Sequence, residues 1–379
     1  MSYFFQKNCS AKLCNCKEED NMFKKSNTSG KVVELKEIYE EDFGTTVSKY
    51  KSNEVRSIKR DIFGEYLSEI QEKKGKNISG EITPTGIKSL DDKIGGGLQE
   101  GVYVIGANPG VGKTSLILSI LNNLALNKKY SLFFNLDMSD IQTTLRLISN
   151  FSYKCEEVNS YKINDLSNVK NIFNGGIMNG DIVKLYETYN KKINDYIHVL
   201  SVNYDDINSS STVTYIESVK VSIKNFIKYY KCKPVVVIDY FQLLKKSDDF
   251  EYDEVDAQRN MKIYDRRLEI DQLISELKGL SKIYHLPIIV ISANNRASYS
   301  NERDVYDISF SKESGDIEYR TDALIRLTSG GDKTNFGGPD LKCVNLHICK
   351  SRYGPEHVSM ALDFIPEYAY FQDSNERDD

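Results

Sequence analysis

At 379 residues, 40% of them hydrophobic, the chain is long enough to bury a large core in one large or two smaller domains. Its formal net charge of -5 excludes a generally basic nucleic-acid coat but not a local basic channel, because binding follows the distribution of charge rather than its sum. Seven scattered cysteines fit reduced thiols better than a disulfide framework, and neither a leader-like start nor a membrane-length apolar run is present, so a soluble, cytoplasmic chain with no membrane partner is expected.

Residues 1–52 read as a polar head. Cys9, Cys14 and Cys16 stand there at C-x4-C-x-C spacing, which could supply part of a tetrahedral zinc site. No His lies nearby as a fourth ligand, and a flexible head with free thiols is the simpler reading. Across 53–80 the pattern changes: Val55, Ile58, Ile62, Tyr66 and Ile70 recur at three- and four-residue steps, one face of a helix, before Gly75 and the Asn77 to Gly80 stretch break it. That stripe needs cover, either from its own domain or from a neighbouring subunit.

The main domain spans 81–373, followed by an acidic tail at 374–379. It opens with ITPTGIKSLDDKIGGGLQEG, where Gly95-Gly96-Gly97 forms a turn. GVYVIGANPGVGKTS, Gly101 to Ser115, then reads strand, loop, helix. Ala107-Asn108-Pro109-Gly110-Val111-Gly112-Lys113-Thr114 is the Ala-first form of the phosphate-loop pattern, with Ser115 continuing the helix. Small residues there let backbone N–H groups wrap phosphate oxygens at a helix N-terminus. Lys113 would reach the β- and γ-phosphates, and the Thr114 hydroxyl would sit on Mg2+.

Further apolar runs at Leu132 to Leu136, Val235 to Ile238, Ile288 to Ile291, Leu324 to Leu327 and Val344 to Ile348 alternate with helical patterns such as Ile141 to Phe151 and Leu268 to Tyr284. The expected fold is α/β, with a mostly parallel central sheet flanked by helices. Between Asn150 and Lys233 polar helical stretches and a loop at Asn203 to Ser211 are expected, with no evident site. Val235 to Ile238 ends in Asp239, the carboxylate that a nucleotide-hydrolysing domain needs for its Mg2+ shell. Phe133 to Leu136 ends in Asp137, which could orient or deprotonate the attacking water. Asp137 also precedes a helical segment together with Ser139, so a helix cap is the competing role.

Taken together, the motifs resemble the RecA-like ATPase domain of the DnaB-like hexameric replicative helicases. The matching pieces are TGIKSLDDKIGGGLQEG, the phosphate loop, NLDMS, VVVIDYFQLL, LPIIVIS with Asn295-Arg296, KESGDIE, KSRYGP and EYAYF. They run in the family's order from about Ser57 to Gln372. The resemblance implies Lys113 and Thr114 as the Walker A pair and Asp239 as the Walker B acid. Asp137 stands where the family has a catalytic glutamate. Arg352, with Lys350 beside it, resembles a finger that reaches a neighbour's ATP site. Lys312, Glu313 and Gly315, together with Arg296, resemble DNA-contacting positions, and Ser57 to Lys74 resembles the linker helix that packs on an adjacent protomer.

The implied activity is that of a Mg2+-ATP-driven helicase forming a homo-hexamer on single-stranded DNA. A primase or helicase loader is the further partner, and a 5'-3' direction follows from the resemblance alone. Asp137 is one methylene shorter than glutamate. Ala293 replaces the family's phosphate-sensing glutamine, and the head is too short for the family's helical N-terminal domain. The Asp137 and Ala293 departures motivate an alternative: a RecA-like ATP-binding scaffold that assembles on DNA or partners without unwinding.

Overall fold

The computed structural model describes residues 82–167, 173–174, 177–201, 214–246, 266–293, 306, 317–333 and 340–374. The chain divides into two units, Met1–Ser68 and Glu69–Asp379, and every described residue belongs to the second. The polar head, the stretch 53–80 for which a linker helix is expected, Arg296, Lys312, Glu313 and Gly315 lie outside the described residues.

In chain order the elements are α1 (Lys88–Lys93), β1 (Gly101–Ala107), α2 (Lys113–Leu126), β2 (Ser131–Asn135), α3 (Asp140–Lys154) and α4 (Ile163–Ser167). A two-stranded ribbon of β3 (Phe173–Asn174) and β4 (Ile177–Met178) precedes α5 (Gly180–Tyr189) and β5 (Ile197–Ser201). Then come α6 (Ile216–Tyr230), β6 (Val235–Asp239), α7 (Arg266–Tyr284), β7 (Pro287–Ala293) and α8 (Ile317–Arg320). β8 (Ala323–Lys333), β9 (Leu341–Ser351), β10 (Val358–Ile365) and β11 (Tyr370–Asp373) end the fold.

Among the described residues nine strands form one sheet in the order β11-β10-β9-β8-β1-β7-β6-β2-β5. The six from β8 to β5 are parallel, and β9, β10 and β11 continue the sheet antiparallel. The parallel part matches the expected sheet, and the antiparallel extension adds β10 and β11, which the periodicity did not announce. Among the described residues no helix is long and apolar enough to cross a membrane.

The unbroken runs VYVI, VVVID and IIVI have no polar alternation because both sheet faces are covered. Successive side chains point to opposite faces. Tyr103, Ile105, Phe133, Val237 and Ile289 pack on one face with Leu116, Ile117, Ile120 and Leu121 of α2. Val102, Val104, Phe134, Val236 and Ile288 pack on the other with Ile223 of α6 and Ile270, Leu273, Ile274 and Leu277 of α7. That last set follows the spacing of one helix face, and each member is 0% exposed. Burial of this kind contributes about 1.5–3 kcal/mol per large side chain.

Parallel pairing gives the domain its functional edge. Ala107 stands opposite Ala293, and Asn135 opposite Asp239, so the carboxyl ends of β1, β7, β6 and β2 lie side by side. In open α/β sheets such an edge is where ligands bind.

Candidate active site

The phosphate loop leaves β1 at Ala107 and enters α2 at Lys113. Gly112 is the helix N-cap with φ 109°, a left-handed conformation that side chains resist, and an added Cβ would come within 3.0 Å of the Phe371 ring. No side chain caps α2, so its first N–H groups are not taken by a capping residue. Lys113 Nζ folds over the loop and donates to the carbonyl oxygens of Ala107 at 2.7 Å and Asn108 at 3.3 Å. Burial holds its pKa below the usual lysine value, against the opposing pull of Asp239 and Asp137.

Thr114 Oγ1 donates to Asp239 Oδ2 at 2.7 Å. Asp239 is 3% exposed, and burial pushes its carboxyl up to about 6. The Thr114 hydrogen bond and the Lys113 charge pull it down, while the nearby Asp137 charge pushes it further up. A buried carboxylate beside a hydroxyl, with a second carboxylate close by, is a set of hard oxygen donors suited to Mg2+. The residues present therefore fit a Mg2+-bound nucleotide.

Asp137 is exposed, two residues beyond β2. Ser139 takes the capping role instead: its hydroxyl accepts from Gln142 N in a capping box that opens α3. Asp137 owes its position to a residue of the NLDMS piece to which the sequence pattern assigns no role. Asn135, fully buried, donates through Nδ2 to Met138 O at 2.6 Å and Thr143 Oγ1 at 2.9 Å, and its Oδ1 accepts from Met138 N at 3.1 Å. Leu136 N donates to Asp239 O at 2.6 Å, tying the Asp137 turn to the Asp239 strand. Asn135→Ala strands these partners, at about 1–3 kcal/mol for each buried group left unpaired. The expected result is a lower melting temperature and a fall in ATP turnover of about tenfold to hundredfold, read by thermal melting and steady-state hydrolysis.

Ala293, at the end of β7, stands in register with Ala107, while Asn294, Asn295 and Arg296 lie outside the described residues. One residue earlier, the buried hydroxyl of Ser292 accepts from Gln242 Nε2 at 2.9 Å.

Lys350 and Arg352 sit at the opposite edge of the sheet. Arg352 N donates to Asp322 O, and Asp322 N to Val102 O, which places both at the start of β1 while the phosphate loop follows its end. The separation is a strand length, roughly 20 Å at about 3.3 Å per residue. Lys350 Nζ donates to Thr321 O at 2.9 Å, and Tyr353 OH to Glu100 O at 2.6 Å. The turn also presses on α1 and the triple-glycine segment: a Cβ on Gly354 would collide with Lys93 O, and one on Gly95 would meet Tyr353 O at 2.5 Å. This packing explains why KSRYGP and IGGG, far apart in the chain, both carry glycine. Asp322, which both Arg352 and Lys278 contact at this edge, and Lys278 itself belong to no motif that marks them in the sequence.

Comparison with known proteins places the fold and the family. A family model described as "DnaB-like helicase C terminal domain" matches residues 83–373. A curated relative, "Replicative DNA helicase DnaB" of Buchnera aphidicola subsp. Baizongia pistaciae (strain Bp), is 30% identical over 277 residues, covering 72% of this chain and 51% of the relative. The chain spans between 51% and 62% of the length of such curated relatives. Among solved structures, one described as an ATPase domain superposes with a TM-score of 0.61 at 21% identity, covering 82% of this chain and 98% of that one. "The Structure Of A DnaB-Like Replicative Helicase And Its Interactions With Primase" gives a TM-score of 0.61 at 19% identity, covering 89% and 73%. With a phosphate loop, a buried strand-end acid and an arginine on the far edge of one mostly parallel sheet, and with the family model spanning 83–373, the chain belongs to the DnaB-like helicase C-terminal domain family.

Proposed function

We propose that the chain is the motor of an ATP-driven DNA helicase that works as a homo-hexameric ring on single-stranded DNA in the cytoplasm. In this reading 81–373 is the motor, 53–80 a linker helix that packs on the adjacent protomer, 1–52 a polar head and 374–379 a tail. Lys113 and the first N–H groups of α2 bind the triphosphate. Thr114 and Asp239 hold Mg2+, which supplies charge neutralisation at the phosphates. Asp137 orients the attacking water and receives its proton. Arg352, with Lys350 beside it, completes the site of a neighbouring subunit, and Lys312, Glu313, Gly315 and Arg296 contact the DNA backbone. A primase or loader is the proposed further partner, since a solved relative's title names primase.

The observation that carries this reading is the split of the site across the sheet. The phosphate loop lies at the carboxyl ends of the parallel strands, and Arg352 at their amino ends. An arginine that far from its own loop can act on a triphosphate only through a second copy of the chain.

Strand displacement on a forked duplex tests the proposal, with Lys113→Ala as the control. Wild type is expected to unwind the fork in the presence of Mg2+-ATP, and Lys113→Ala to lose ATP turnover by about a thousandfold or more. ATP hydrolysis and DNA binding without strand displacement would select the scaffold reading instead.

A further inference from the structure

Asp322, immediately before β8, is a fully buried carboxylate with two cations on it. Its Oδ2 accepts from Val102 N at 2.7 Å and from Lys278 Nζ, an ammonium carried by α7. Its Oδ1 meets Arg352 Nη1 at 3.1 Å as an ion-pair contact without an aligned hydrogen bond. The two cations are held unequally. Lys278 is mostly buried and hydrogen-bonded, whereas Arg352 is half exposed and tied by charge alone. Gly101 makes the room for this cluster, since a Cβ there would lie 2.8 Å from the Asp322 carboxylate.

A guanidinium that reaches a neighbour's phosphate must first leave the group that holds it. Withdrawing the sole cation from a buried carboxylate is strongly unfavourable, because the charge left behind is neither paired nor solvated. Asp322 escapes that penalty if Lys278 stays. The backbone of the turn is also anchored independently of the guanidinium, through Arg352 N on Asp322 O, Lys350 Nζ on Thr321 O and Tyr353 OH on Glu100 O.

We propose that Lys278 is a positioning residue for Arg352: it keeps the charge of Asp322 paired, so that the guanidinium is free to swing to the neighbouring subunit while its turn stays docked. The inference rests on reading Arg352 as the finger. Without Lys278, Asp322 would hold Arg352 as its only cation, and the finger would be retained in its own chain.

The test is steady-state ATP hydrolysis by the full chain with single-stranded DNA, alongside thermal melting and ring assembly by electron microscopy. Lys278→Met is expected to lower kcat by about tenfold or more with KM and ring assembly retained. Adding Asp322→Asn, which keeps an oxygen for Val102 N but removes the charge, is expected to restore kcat to within about threefold of wild type. Lys278→Arg, which keeps the cation, is expected to recover most of the lost turnover. A folded Lys278→Met chain with wild-type kcat overturns the inference, as does a double variant no faster than Lys278→Met or a folded Lys278→Arg as slow as Lys278→Met. Arg352→Ala separates this failure from that of the underlying reading. If Arg352→Ala is impaired while Lys278→Met is not, the positioning role alone falls. If Arg352→Ala turns over at the wild-type rate, the finger reading falls and takes the positioning role with it.

Discussion

Arg352→Ala is expected to lower DNA-stimulated ATP turnover by about three orders of magnitude, the effect of withdrawing an arginine that neutralises charge developing on a transferring phosphoryl group. Nucleotide binding should survive, because Lys113, Thr114 and Asp239 belong to the other edge of the sheet. The geometry permits a sharper experiment than a single substitution. Arg352→Ala chains keep an intact phosphate loop, and Lys113→Ala chains keep an intact arginine. Two inactive variants mixed in equal amounts would place a whole loop against a whole arginine at roughly a quarter of the interfaces of a cyclic ring. Recovered hydrolysis in the mixture, with neither parent active, is the expected outcome. A mixture no more active than either parent would count against Arg352 acting across the interface.

The parts legible in the sequence were those whose local chemistry leaves one reading. Glycines at Gly110 and Gly112 followed by Lys113 and Thr114 announce a phosphate loop because the backbone needs φ of 81° and 109° there. The runs ending at Ile105, Ile238 and Ile291 announce strands covered on both faces, and β1, β6 and β7 lie adjacent in the parallel sheet. By contrast, β5 at Ile197–Ser201 lies in a stretch that reads as polar and helical; its apolar Val199 and Leu200 are not buried and only Ile197 is, as befits an edge strand. The antiparallel β10 and β11 were hidden for a different reason. Their apolar residues, Phe364 and Phe371, stack with ring centroids 4.4 Å apart and pack beneath Gly112, a long-range contact that no local period records.

The site divides along the same line. Asp239 was legible because a phosphate loop that binds Mg2+-nucleotide calls for a carboxylate at the end of a second buried strand, and Val235 to Asp239 supplies it. Asn135, Asp322 and Lys278 were not, because a buried amide or ion pair is defined by its partners, and those lie up to 220 residues away. Asp137 stood between the two cases. Sequence alone left it shared between capping and chemistry, and the Ser139–Gln142 capping box supplies the cap elsewhere.

Asp239→Asn is expected to raise the melting temperature without the cation and to lower it, relative to wild type, with Mg2+-ATP. Burial raises the folded-state pKa of this carboxyl from 3.8 to about 6, so between those values the folded chain binds more protons than the unfolded one. For a group shifted upward, stability falls as pH rises through that window, and the full cost persists at neutral pH, where the buried charge is present. In chelator-treated protein at neutral pH, asparagine removes the cost, and the melting temperature should rise, by an amount corresponding to on the order of 1–3 kcal/mol. With Mg2+-ATP added the order should reverse. Wild type gains stability in proportion to ligand occupancy, whereas the variant lacks the carboxylate for the cation and gains little. The same logic makes the Mg2+-dependent shift of wild type fade as pH falls below about 6, when Asp239 takes up its proton. Melting curves of both proteins, with and without Mg2+-ATP, decide the matter. An asparagine variant less stable than wild type in chelator would mean that the Thr114–Asp239 contact holds the fold more than burial strains it, and Asp239 would then be a structural acid rather than a seat kept for a cation.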